Sequence, residues 1–184
     1  MACDLARRMG MSVGSAGRVA MCSEVELLPR SEIVRGNEGQ AYCKLRETII
    51  DRIAVFKPRE MWIEEAVPTQ KRSLDTLRFL MGLCAVAEEA ACSQGVPVFS
   101  QAVGTVRLHV LGNGAASKED VLWWAHDLGY SVTDNEGDAL ALLAYAASCD
   151  GDGWKLTPGP NAKQSQDQIF ARAEAALRGQ TRPA

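Results

Sequence analysis

The stretch MACDLARRMGMSVGSAGRVAMCSEVEL, residues 1–27, decides the fold. It holds three short strand candidates, Met1 to Leu5, Gly10 to Gly14 and Arg18 to Leu27. They are separated by Arg7-Arg8 and by Gly14-Ser15-Ala16-Gly17, a turn signal. Strands joined by connections this short run antiparallel, because a parallel return needs a crossover of roughly a dozen residues or more. The chain therefore opens with a β-meander.

Outward from the meander the pattern changes. Leu45, Ile49 and Ile53 recur at helical spacing within Asn37 to Phe56, with charged residues between them, and Pro58 stops the run. Glu60 to Val67 (EMWIEEAV) is a strand closed by Pro68. A long helix from Ser73, its N-cap, to Gln94 ends near Gly95. Val96 to Ser100 (VPVFS) is a short buried strand whose Pro97 assigns it to a sheet edge. Helices over Gln101 to Leu111, Ser117 to Leu128 and Asp134 to Ser148 complete the series. A meander followed by helix–strand–helix–strand and then helices is an α/β plan. Its crossover helices set the fourth and fifth strands parallel to the first. The expected fold is an RNase H-like mixed five-stranded sheet flanked by helices. Residues 1–150 form this domain. Residues 151–184 form a Gly/Pro-rich linker and then an amphipathic terminal helix carrying Ile169, Phe170, Ala173, Ala176 and Leu177.

Composition sets bounds. A chain of 184 residues, 47% of them hydrophobic and 23% charged, is long enough for one ordinary domain with a sizeable core. No apolar stretch reaches the ~18 residues of a membrane span. Met1 to Arg8 places an acid and two arginines where a signal peptide needs an apolar run, so the expected location is the cytoplasm. The six cysteines, Cys3, Cys22, Cys43, Cys84, Cys92 and Cys149, lie far apart and lack a C-x-x-C pair. They read as buried free thiols rather than disulfides or a zinc site. A net charge of −3 does not advertise a nucleic-acid binder, but carboxylates gathered around metal ions are compatible with a local basic rim.

Three acids stand where solvation does not explain them equally well. Asp4 lies within an apolar strand, where an unpaired acid is costly if buried, although so near a terminus it can also be solvated. Glu64 and Glu65 are adjacent in a strand and point to opposite faces, and the periodicity does not say which faces a site. Thr133 and Glu136 fit a capping box, and Asp134 suits a helix N-terminus. Neither explanation covers Asp138, which enters a helix apolar almost all round. A buried acid there needs a partner, and a metal is one candidate.

The motifs Cys3-Asp4-Leu5-Ala6-(x)-Arg8-(x)-Gly10, Ile63-Glu64 and Asn135-Glu136-Gly137-Asp138-Ala139-Leu140-Ala141 together resemble the RuvC-type Holliday-junction resolvases, especially their bacteriophage branch. The segment Val106-Arg107 through Gly112-Asn113-Gly114 to Ser117-Lys118 resembles that family's basic residue, G-x-G and lysine. The resemblance runs from Met1 to Ser148. It implies two Mg²⁺ or Mn²⁺ ions held by Asp4, Glu64, Asn135 and Asp138, with Lys118 joining the acids in catalysis. It also implies DNA contacts from Arg107, Lys118 and Arg8, and a homodimer acting on four-way junctions. There are three departures. Only three residues precede Asp4, which makes the first strand short. Asn135 stands at an often acidic position, leaving Asp134 or Glu136 as substitute ligands. Val67 falls near an aromatic that some members use against bases.

The function implied is metal-dependent, structure-specific cleavage of branched DNA. Two alternatives stay open: an RNase H-like nuclease with flap, fork or RNA–DNA hybrid preference, and a degenerate member that binds without cutting.

Overall fold

In the computed structural model, residues 1–15, 18–29, 37–68 and 73–149 are described; the expected linker and terminal helix, residues 151–184, lie outside them. A five-stranded sheet carries β1 (Ala2–Asp4), β2 (Arg8–Ser15), β3 (Arg18–Glu26), β4 (Met61–Glu64) and β5 (Val98–Gln101). Their order is β3-β2-β1-β4-β5. Both meander pairings are antiparallel, and β4 runs parallel to β1 and to β5. This is the expected RNase H-like sheet. Among the described residues five helices flank it: α1 (Glu38–Phe56), α2 (Leu74–Ser93), α3 (Val103–Leu111), α4 (Lys118–Asp127) and α5 (Asp134–Cys149).

The boundaries move for local reasons. Arg8, expected in a turn, begins β2 and pairs with Glu26 across the sheet. The strand expected over Glu60 to Val67 stops at Glu64, and that expected over Val96 to Ser100 begins after Pro97, which lacks the N–H a ladder needs. β5 is the edge strand, as Pro97 indicates, but it is not buried as expected: Phe99 and Ser100 are exposed, since an edge strand has a neighbour on one side only. The Ser73 hydroxyl caps α2 by accepting from the Thr76 N–H. At α5, the Thr133 N–H donates to Glu136 Oε2 at 2.7 Å, and the Glu136 N–H donates to Thr133 Oγ1 at 3.4 Å, the expected capping box.

Strand alternation splits the interior into two cores. Cys3 and Ile63 face α1 and α2, whose Leu45, Ile49, Leu83 and Ala87 fill the first core. Ala2 and Trp62 face the other way, into a second core with Val106, Val121, Ala141 and Leu142 from α3, α4 and α5. The cysteine expectation holds in part. All six are free, Cys3 is buried, and Cys22 and Cys84 are half-buried, but Cys43, Cys92 and Cys149 are exposed. Each of those three lies on the outward side of a helix, where an apolar neighbour in sequence is not one in space. Among the described residues no helix is long and apolar enough to cross a membrane.

One contact fixes how α5 sits on the sheet. A Cβ at Gly10 would lie 1.8 Å from the Asn135 carbonyl oxygen and 2.8 Å from the Glu136 nitrogen. The backbone of the first turn of α5 therefore rests directly on β2, at a place only glycine allows. Gly10→Ala is expected to lower stability by about 3 kcal/mol or more, roughly 6–12 °C in Tm. A melting point within a degree of the parent would show that α5 is not seated through this contact.

Candidate active site

The alternation that places Ala2 and Trp62 on the α5 side places Asp4 and Glu64 there too, two residues further on. β1 pairs Ala2 with Trp62 and Cys3 with Ile63, so the next step of the register sets Asp4 beside Glu64. Both stand at the carboxyl ends of parallel strands, where α/β sheets open a crevice. Asp138, one turn into α5, completes the group from above. Asp4 and Asp138 are buried, at 7% and 8% exposure, although both are charged residue types.

A cleft of about 410 Å³ opens over them, lined by Asp4, Glu64, Asn135 and Asp138 together with Lys118 and Arg107. The fold thus gathers six of the residues singled out from the sequence. Three others lie off the cleft lining. Glu136 is engaged in the α5 cap, and Asp134 is exposed at the same terminus. Arg8 is ion-paired to Glu24 at 3.0 Å. Glu65 does not turn to the opposite face as alternation suggests. β4 ends at Glu64, and Glu65 lies exposed along the same cleft.

Electrostatics dominate the site. Burial, then the neighbouring Glu64 and Asp138 carboxylates, push the Asp4 pKa up to about 8, with Lys118 opposing, and a hydrogen bond links the Asp4 and Glu64 carboxyls. Asp138 has cation partners: Arg107 at 3.1 Å to one oxygen and Lys118 at 3.0 Å to the other. Burial works against the Lys118 ammonium, but Asp138, ahead of Asp4 and Asp134, offsets this and raises its pKa. Arg107 also donates to the Ala116 carbonyl at 2.6 Å, tying α3 to the turn before α4. Its Nε is buried without a hydrogen-bond partner.

Three carboxylates and an amide oxygen are hard donors of the kind Mg²⁺ and Mn²⁺ prefer. The donor chemistry therefore suits a divalent cation. Among the described residues, no three His, Cys, Asp or Glu side chains form a ready-made cage. Asp138 instead answers Arg107 and Lys118, and Asp4 shares a hydrogen bond with Glu64. Crowded carboxylates take up protons or basic side chains when no other cation balances them.

Sequence reasoning misses Glu24. This β3 residue accepts from Asn135 Nδ2 at 2.7 Å and Thr133 Oγ1 at 3.3 Å, besides its pair with Arg8. Its partners at Thr133 and Asn135 are more than a hundred residues away, and a glutamate between Ser23 and Val25 carries no local signal.

No family model and no curated protein sequence matches the chain. Solved structures do. The Thermus thermophilus RuvC structure aligns with a TM-score of 0.62 at 19% identity, over 84% of this chain and 96% of that one. T. thermophilus RuvC in complex with a Holliday junction substrate aligns with a TM-score of 0.65 at 18% identity, over 84% and 97%. Through the sheet order, the flanking helices and this coverage, the chain has the fold of the RuvC-type resolvases.

Proposed function

We propose that the protein is a divalent-metal-dependent endonuclease that cuts branched DNA, four-way junctions foremost, and acts in the cytoplasm as a homodimer. The observation that carries this reading is the convergence of Asp4, Glu64 and Asp138 beneath Lys118 and Arg107 in one cleft. It is supported by a fold shared with a protein solved in complex with a Holliday junction substrate. A two-fold dimer would offer two clefts to a junction of matching symmetry.

Asp4, Glu64 and Asp138, with the Asn135 amide oxygen, would hold Mg²⁺ or Mn²⁺, which when bound supplies an activated water and Lewis-acid stabilisation of the leaving oxygen. The remaining work falls to the chain itself. Lys118, about half exposed, presents its ammonium at the cleft mouth, where a backbone phosphate is drawn and its charge balanced. Arg107, largely buried, holds Asp138 and the Ala116 carbonyl, so α3, α4 and α5 keep their spacing around the cleft. A cleft of about 410 Å³ lined by acids and by two basic side chains suits a charged backbone rather than an apolar small molecule.

Purified protein is expected to nick synthetic four-way junctions with Mg²⁺ or Mn²⁺. Asp4→Asn, Glu64→Gln and Asp138→Asn should each reduce the rate on the order of 10³-fold, since a metal ligand supports several kcal/mol of transition-state stabilisation. Flaps, forks and RNA–DNA hybrids assayed in parallel measure the preference. Intact junctions with either metal, or full activity in Asp138→Asn, contradict the assignment.

A pH dependence accompanies the site. Asp4 binds its proton up to about pH 8 when folded, against an ordinary value of 3.8, so the folded state holds the extra proton between them. Without divalent ions this contribution to stability is fully present below about pH 4 and fades as pH rises through 8. At pH 8.5, Mn²⁺ at a hundredfold excess over Kd should restore about 2.7 kcal/mol, roughly 5–10 °C in Tm for a domain of this size. At pH 5 the same addition should do much less, because the ion competes with the proton. Equal Mn²⁺ stabilisation at both pH values, measured by thermal unfolding, argues against coupling through Asp4.

A further inference from the structure

We propose that Glu24 is a positioning residue: it locks the Asn135 side-chain amide so that the carbonyl oxygen, not the NH₂, faces the cleft. The inference rests on the metal-site reading above and adds to it a residue outside the carboxylate cluster.

An ionised carboxylate can only accept hydrogen bonds, so the group Asn135 turns to Glu24 must be its NH₂. The Nδ2–Oε2 distance of 2.7 Å is that of a strong charge-assisted bond. With Nδ2 committed to β3, Oδ1 is left on the opposite side. There it lies 3.4 Å from Lys118 Nζ, and Asn135, like Lys118, lines the cleft that holds Asp4, Glu64 and Asp138. A free asparagine presents either end of its amide with little difference in shape, and only the oxygen can serve a cation.

Glu24 is itself well fixed. Its side chain is 14% exposed, and Arg8 holds the other oxygen, Oε1, at 3.0 Å. Thr133 Oγ1, at the α5 cap, donates to Oε2 at 3.3 Å, so the carboxylate grips the same helix terminus twice. Glu24 lies opposite Gly10 in the β2–β3 register, and the missing side chain at Gly10 lets the Asn135 backbone come close enough for the bond. An anion behind the amide also polarises its oxygen, so Asn135 backed by Glu24 partly replaces the carboxylate that the substitution Asn135→Asp would provide. The converse follows. An aspartate at this position would face Glu24 with like charge, and the two positions should be tolerated only as matched pairs.

The test uses the full chain and three variants, Glu24→Gln, Asn135→Asp and the double substitution. Mn²⁺ binding is measured by calorimetry, alongside Tm and solvent exchange of the Asn135 side-chain NH₂ by NMR. Glutamine at 24 can donate as well as accept, so it keeps the contact but removes the lock. Glu24→Gln is expected to weaken Mn²⁺ binding about tenfold, as outer-shell changes at metal sites do, and to speed exchange at the Asn135 amide. Asn135→Asp should lower Tm, and the double variant should recover both Tm and affinity, a non-additivity that pairing requires. A merely architectural Glu24 would lower Tm in Glu24→Gln and leave Mn²⁺ affinity and amide exchange unchanged, which overturns the proposal. So does a double variant no better than Asn135→Asp. If the parent protein binds no Mn²⁺ but Glu24→Gln still releases the Asn135 amide, the positioning stands and the metal-dependent reading fails.

Discussion

Three carboxyl groups from distant parts of the chain are held within one partly buried cleft, and their mutual repulsion is the constraint on which the rest depends. Like charges removed from water are costly together, so each must find a proton, a basic side chain or a metal ion. Asp4 shares a hydrogen bond with Glu64, and Asp138 lies between Arg107 and Lys118. A divalent cation would balance such a cluster, and that is the physical basis of the proposed nuclease.

The fold meets the constraint by economical means. The parallel register of β1 and β4 sets two acids side by side with no loop to order. Gly10 lets the first turn of α5 sit on the sheet, which brings Asp138 over them. α4 begins at Lys118, so a cation stands at the helix start facing the acids, while α3 contributes Arg107 from the flank. Each device is local, but the cleft exists only when all are assembled. A site of this kind is sensitive to the seating of helices that carry few of its residues.

Much of the architecture is legible in sequence because it follows from chain connectivity and apolar spacing. The short connections of residues 1–27 require antiparallel pairing, and the crossover through α1 makes β4 parallel to β1. The acids at 4, 64 and 138 stand out because each interrupts apolar sequence, or because they match a family pattern together. What stays hidden depends on tertiary contact. Glu24 gains its role only from partners more than a hundred residues away, and Arg8 faces it rather than lining the cleft. Glu65 lines the cleft because β4 ends one residue earlier, a boundary that alternation does not encode. The cation partners of Asp138 are hidden for the same reason: charge pairing across helices leaves no periodic trace.

The most direct measurement is anomalous diffraction from crystals soaked in Mn²⁺ at neutral to alkaline pH. Manganese density is expected bounded by the carboxylates of Asp4, Glu64 and Asp138, with Asn135 Oδ1 on its rim. Manganese density elsewhere, or an unchanged cleft in which Asp138 still pairs with Arg107 and Lys118, would contradict it.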